Sequence, residues 1–97
     1  MNVPALNMVL HPPARLQICA VLANVEEIEF ARLKAIVGVT DSVLSKHLSA
    51  LAEEDYVKLR KAALDGRQRT WVSLTRAGRP AFAGHLAALQ QLAAGVS

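Results

Sequence analysis

The chain has 97 residues, of which 53% are hydrophobic, 20% charged and 4% aromatic, with a formal net charge of +3. That length suits one domain burying about two-thirds of its unfolded surface, and the hydrophobicity excludes bulk disorder and fibrous repeats. A lone cysteine, Cys19, excludes an internal disulfide framework and a multi-cysteine zinc site, and no apolar run reaches the ~20 residues of a membrane span.

Residues 1–10 carry no capping or periodic signal and are expected to form a short arm. The N-terminal stretch 1–13 has no basic n-region and is broken by Pro4, Pro12 and Pro13. It therefore does not read as a secretory signal, and a cytoplasmic location is expected. Pro12 and Pro13 suit the first turn of a helix, where backbone donors lack partners anyway. The helix expected over Ala14–Ala23 is apolar almost all round, which predicts extensive burial. Asn24 is expected to end it in the left-handed conformation. Ile28–Phe30 is long enough only for a very short strand. Phe30–Val37 reads as a second helix, with Leu33, Ile36 and Val37 at apolar spacing.

Gly38-Val39-Thr40 is the most informative tripeptide. Gly38 can take a positive φ to stop the second helix, Val39 can pack back on its last turn, and Thr40 can cap a third helix. Asp41 then falls in a first turn, where the helix dipole favours it. Helix, short Gly-containing turn and capped helix make a helix-turn-helix pattern. The third helix, 41–54, has two faces: Leu44, Leu48 and Leu51 form an inward stripe, and Ser42, Ser45, Lys46 and Ser49 a roughly opposite one. Small hydroxyl side chains and one lysine let such a face approach a major groove closely.

Two strands are expected next, Tyr56–Ala63 and Gln68–Thr75, from the alternation of Val57 and Leu59 and of Thr70, Val72 and Leu74. Leu64-Asp65-Gly66-Arg67 lies between them, and Asp-Gly is a strong hairpin-turn dipeptide. From Tyr56 to Pro80 there are seven cations (Lys58, Arg60, Lys61, Arg67, Arg69, Arg76, Arg79) against Asp65 alone, a local balance of +6. Such a stretch suits either a solvated hairpin or a phosphate-tracking patch. Thr75 is expected to cap a last helix over about 76–94. Its Phe82, Leu86, Leu89 and Leu92 share an apolar side, and Pro80 predicts a kink or a late start.

Taken together, these residues resemble the winged helix-turn-helix DNA-binding domains of the MarR-like type, close also to the ArsR-like group. The matching features are Gly38-Val39-Thr40, Leu44-Ser45-Lys46-His47-Leu48-Ser49-Ala50-Leu51 and Tyr56-Val57. They continue with Asp65-Gly66-Arg67 and Arg69-Thr70-Trp71-Val72-Ser73-Leu74-Thr75, leading into Arg76-Ala77-Gly78. The resemblance covers about residues 11–92 and rests on the order and spacing of the pieces. It implies a mainly α fold with a small β-hairpin wing, in the order α-(β)-α-α-β-β-α. It also implies a winged-helix domain over 11–94 behind the arm 1–10, with dimerisation by the helix at about 76–94. Three departures stand out: Asp55 where such domains commonly have Gly, Pro80 early in the last helix, and no long terminal helices of the full-length MarR kind.

The function expected is that of a sequence-specific regulator of transcription, a homodimer on double-stranded DNA at a pseudo-palindromic site. The third helix would lie in the major groove and the wing at 64–69 on the backbone or in the minor groove. The expected DNA contacts are Thr40, Ser42, Val43, Ser45, Lys46, Ser49, Arg60, Arg67 and Arg69, and the expected dimer contacts are Phe82, Leu86, Leu89 and Leu92. The resemblance leaves room for an unnamed effector at a dimer interface, with no membrane partner. The alternative is a winged-helix protein-interaction module without sequence-specific DNA binding.

The remaining chemistry-bearing residues fit packing roles. Cys19 reads as a small core hydrophobe. His11, His47 and His85 are far apart in sequence, and His85 has no ligand partner in its own helix, so no metal or other cofactor is expected. His47 is expected to be packed or bonded to a backbone carbonyl, with contact to a DNA phosphate as the other reading. Trp71 is expected on the hairpin's outer face or docked on the first or last helix. No Ser/His/Asp order, Gly-rich phosphate loop or metal spacing is present, so catalysis is not expected.

Overall fold

The computed structural model describes residues 5–95, so part of the expected arm lies outside the described residues. The elements run α1 (Pro13–Leu22), β1 (Ile28–Glu29), α2 (Phe30–Val37), α3 (Asp41–Glu53), β2 (Val57–Leu64), β3 (Arg67–Leu74) and α4 (Gly78–Ala93). The strands form one antiparallel sheet in the order β1-β3-β2, with Ile28 opposite Val72 and Leu59 opposite Val72 on the other side. Four helices with a three-stranded sheet are the winged-helix architecture expected.

Local chemistry accounts for the boundaries. Pro12 and Pro13 open α1 where no intrahelical donor is needed. Asn24 does not end it in the left-handed region. Ala23 closes the helix in right-handed geometry, and the Asn24 side-chain amide donates to the Ala20 carbonyl at 2.8 Å. Gly38, at φ 76, stops α2 and donates to the Lys34 carbonyl. The Thr40 hydroxyl accepts from the Val43 N–H, a side-chain cap on α3.

At the far end of α3, Asp55 adopts φ 60, and Tyr56 and Asp55 donate to the Leu51 and Ala52 carbonyls. That pair of bonds is a Schellman closure, and an aspartate occupies the left-handed position that glycine usually fills. Asp65 and Gly66 both have positive φ, which is what a two-residue hairpin of the I′ type requires. Thr75 lies just ahead of α4, where its hydroxyl accepts from the Gly78 N–H. The helix starts late, so Pro80 falls in its first turn and no kink is needed. A Cβ at Gly78 would sit 2.0 Å from the Tyr56 carbonyl oxygen, so the backbones of α4 and the α3–β2 junction meet only through glycine.

The core collects one face from every element: Ile18, Cys19 and Leu22 of α1, Leu33 of α2, Leu44, Leu48 and Leu51 of α3, Val57, Val72 and Leu74 of the sheet, and Phe82 of α4. Leu10 belongs to it as well and is fully buried. Residues 7–10 are therefore part of the domain and not a free arm, because a turn at Asn7 drives Leu10 inward. In contrast, α1 is buried on one side only, with Gln17, Ala20 and Ala23 exposed on the other. Burial pushes the Cys19 thiol up to about 11, which keeps it a packing group.

Candidate nucleic-acid interface

Because Leu44, Leu48 and Leu51 are locked into the core, the rotation of α3 about its axis is set. The opposite stripe, Ser42, Ser45, Lys46 and Ser49, faces solvent along its whole length, flanked by Val43. Lys46 has no ion-pair partner among the described residues. Thr40 is exposed at the helix start, but its hydroxyl is already engaged in the cap and lies 3.3 Å from the Ser42 hydroxyl. At the same end, Asp41 is paired with Lys34 of α2 at 2.7 Å, which ties the two helices across the Gly38 turn.

The wing projects from the core. In β2 only Val57 is buried, and in β3 burial is confined to Val72, Ser73 and Leu74 at the base. Everything beyond is exposed or half-buried, including Leu59 and Leu64, and Arg67 sits beside the turn with no carboxylate partner among the described residues. Lys58 and Lys61 are likewise exposed.

Two of the expected wing contacts are otherwise engaged. Arg69 donates to both carboxylate oxygens of Glu29, at 2.7 and 2.9 Å, and roughly a quarter of each side chain remains exposed. Arg60 pairs with Glu27 at 2.5 Å and lies 5.9 Å from the centre of the Trp71 ring, its cross-strand neighbour. Trp71 is thus on the hairpin's outer face, under a guanidinium. Two carboxylates from the β1 segment thus hold cations of the wing. Pairing of β1 with β3 carries Glu29 to the wing, and Glu27, just ahead of β1, reaches past β3 to Arg60 on β2. Arg79, farther along the basic stretch, donates to the Val25 carbonyl and anchors α4.

The expected dimer residues divide in the same way. Phe82 is buried in the core, whereas Leu86 and Leu92 are 38% and 40% exposed and Leu89 is half-buried. The inward stripe of α4 is Gly78, Phe82, His85 and Ala88. Leu86 and Leu89, with Leu16, Ala20 and Ala23 of α1 and the edge of Phe82, line an open apolar groove of about 520 Å³.

The histidines meet partners that sequence distance hides. His47 accepts at Nδ1 from the Arg15 Nε–H at 3.1 Å, not from a backbone group. Burial, then the positive charges of Arg15 and Lys46, holds its pKa below the usual 6.5. His85 accepts at Nδ1 from the Asn7 N–H and lies beside His11, and burial, then His11, lowers its pKa too. Asn7, Arg15, Glu27 and Glu29 gave no motif signal, and only their long-range contacts reveal them. Among the described residues, no three His, Cys, Asp or Glu side chains cluster as metal ligands, and no helix is long and apolar enough to cross a membrane.

Comparison with known proteins agrees with this geometry. The model of the winged helix DNA-binding domain family matches residues 14–93. An uncharacterized protein of Methanocaldococcus jannaschii is 36% identical over 78 residues, covering 80% of this chain and 85% of that protein. Among solved structures, a transcriptional regulator homologue from Pyrococcus horikoshii superposes with a TM-score of 0.87 at 26% identity. That match covers 94% of this chain and 90% of the other. A MarR-family regulator from Porphyromonas gingivalis shares the fold at a TM-score of 0.68 and 20% identity, over 90% of this chain and 80% of its own.

Proposed function

The chain belongs to the winged helix DNA-binding domain family, and from that premise we propose that it is a sequence-specific transcription regulator acting as a homodimer on double-stranded DNA. The family consists of DNA-binding regulators, not enzymes. One observation carries the proposal: α3 is pinned by its leucine stripe while its serine and lysine stripe, with no side chain longer than Lys46, stays exposed. In this reading Ser42, Val43, Ser45, Lys46 and Ser49 face base edges and phosphates in the major groove, and Thr40 caps the helix that presents them. Arg67, with Lys58 and Lys61, tracks the backbone beside the groove. Arg60 and Arg69 contribute through the shape of the wing, since each already holds a carboxylate.

Two copies would pair across the apolar groove between α1 and α4, covering Leu86, Leu89 and Leu92. Phe82 would form the floor of that contact. A two-fold pair would place the α3 helices about 34 Å apart and call for a pseudo-palindromic site. The same interface would be the place for a small-molecule effector. The domain proper would run from Asn7 to about residue 94, with α4 serving both the core and the dimer.

The test is fluorescence anisotropy of the protein against its own upstream DNA and a scrambled duplex at two salt concentrations. If each copy neutralises three or four phosphates, log K should fall against log[salt] with a slope of about −5 to −7, and the native sequence should be preferred. Weak, equal and salt-insensitive binding would instead make the apolar groove the functional surface and the protein an interaction module. Sedimentation separates the homodimer from a monomer awaiting a different partner.

A further inference from the structure

We propose that residues 7–10 form a proton-sensitive latch that joins α4 to the DNA-facing helix α3 and opens when its two anchoring histidines are protonated. The turn is closed on itself by the Asn7 side-chain carbonyl, which accepts from the Val9 and Leu10 N–H groups at 3.0 and 3.3 Å. Its Nδ2 donates to the Tyr56 hydroxyl at 2.9 Å, and Leu10 is fully buried beneath it. One anchor is on α4, where the Asn7 N–H donates to His85 Nδ1 at 2.9 Å. The other runs through α1 to α3: Arg15 donates from Nη1 to the Val9 carbonyl and from Nε to His47 Nδ1, each at 3.1 Å.

Both anchors specify the histidine tautomer. A backbone N–H and a guanidinium N–H can only donate, so His85 and His47 must each present an Nδ1 lone pair and carry their proton on Nε2. His85 is 2% exposed. Its Nε2 faces His11 Nδ1 at 3.4 Å, so His85 donates and His11 accepts. A second proton on His85 would place N–H against the N–H of Asn7. A second proton on His47 would place N–H against Arg15 and a cation among Arg15 and Lys46.

The groups facing His85 are His11 from the segment before α1 and Asn7, whose amide meets Tyr56. Those facing His47 are Arg15 from α1 and Lys46 on its own helix. Among the described residues, no carboxylate pairs with any of the three histidines to favour the charged form. Acid therefore acts on both anchors in one direction, and the latch links the two helices to which dimer pairing and DNA reading have been proposed. Its geometry stands whether or not those readings hold.

Nitrogen-15 shifts of the histidine rings in the full chain test the starting state. At about pH 7.5, His85 and His47 should each show an unprotonated Nδ1 and a protonated Nε2. An Nδ1–H tautomer or an imidazolium at either position would overturn the latch. Amide exchange, corrected for its intrinsic pH dependence, tests opening. Protection of Asn7 should fall about tenfold between pH 7.5 and pH 5.5, as one histidine-gated contact requires. The Leu22 and Leu51 amides in the core should keep their protection over the same range.

Loss at all of these sites in step would mean global unfolding and no latch. His85→Gln, whose amide oxygen accepts from Asn7 without titrating, should flatten the Asn7 profile. Should that buried variant fail to fold, His47→Gln tests the half-buried anchor and should reduce the pH dependence at Val9 and Leu10. Unchanged pH dependence in every variant that folds would sink the proposal.

Discussion

The α3 helix and the wing both present polar, cation-bearing surfaces, but they are held in different ways. The helix has a buried face of three leucines that sets its rotation, so the direction of Ser45 and Lys46 follows from core packing. The wing has almost no buried face beyond Val57 and the base of β3, and its shape rests on strand pairing, an Asp-Gly turn and two arginines held by carboxylates. A balance of +6 counted over 56–80 therefore overstates the wing's free charge, because Arg76 and Arg79 lie beyond β3 and two of the wing's five cations are engaged by Glu27 and Glu29. Charge counted along a segment describes the field only after the pairing of distant strands is known.

The largest expected effect comes from cutting the support of the helix. Leu48→Ala removes a side chain that is 1% exposed and should cost about 2–5 kcal/mol in chemical denaturation. Leu59→Ala on the exposed part of the wing should stay within about 0.5 kcal/mol. Comparable losses at the two positions would mean that the wing is as deeply packed as the helix.

Next in size are the surface changes. Ser45→Ala and Lys46→Ala should lower discrimination between native and scrambled duplexes by about 1–3 kcal/mol with folding intact. Arg67→Ala should weaken every duplex alike and reduce the salt slope by about 1. A sequence-selective loss at Arg67 would make the wing a base reader.

Smaller still is the effect of freeing a wing cation. Glu29→Gln releases Arg69 and should raise affinity for all duplexes, steepening the salt slope by about 1 or less. No gain would show that Arg69 cannot reach a phosphate even when released.

The mildest perturbation is acid, and it should separate the two regions. His47 and His85 both titrate below 6.5 in the folded chain, so their neutral forms are the ones the fold favours. The stability they contribute is complete above the ordinary value and is lost as pH falls below it. The wing carries no histidine. Denaturation midpoints should therefore drop between about pH 7.5 and 5.5. Substituting both histidines with Gln should remove the drop, and a drop of the same size in that double variant would place the titrating groups elsewhere.

Most of the element order was readable from short-range rules. The range of α2, the Gly38 stop, the Thr40 cap and the two-faced α3 all follow from residues within a few positions of one another. The Asp-Gly hairpin does too, and where α1 and the strands differ from expectation they shift by about one residue at an end. Asn24 departs from the left-handed expectation because two local solutions compete at a helix end, a left-handed backbone and a side-chain bond to a carbonyl. The second won. The spacing of Phe82, Leu86, Leu89 and Leu92 gives one apolar side but does not say which of the four turns inward, and the fold buries Phe82 while its edge still lines the groove.

What the sequence by itself determined was the winged-helix order and the outward stripe of α3, since periodicity, caps and turn dipeptides are local constraints that need no partner. Only the tertiary structure decided that Glu29 would take Arg69, that His85 would meet His11 and Asn7, and that Leu10 would enter the core. Those contacts join residues between 40 and 78 positions apart, where nothing in the spacing of residues marks a partner. They form because a three-stranded sheet and a returning helix bring remote polar groups under one surface, where each must find a hydrogen-bond partner or remain desolvated at a cost.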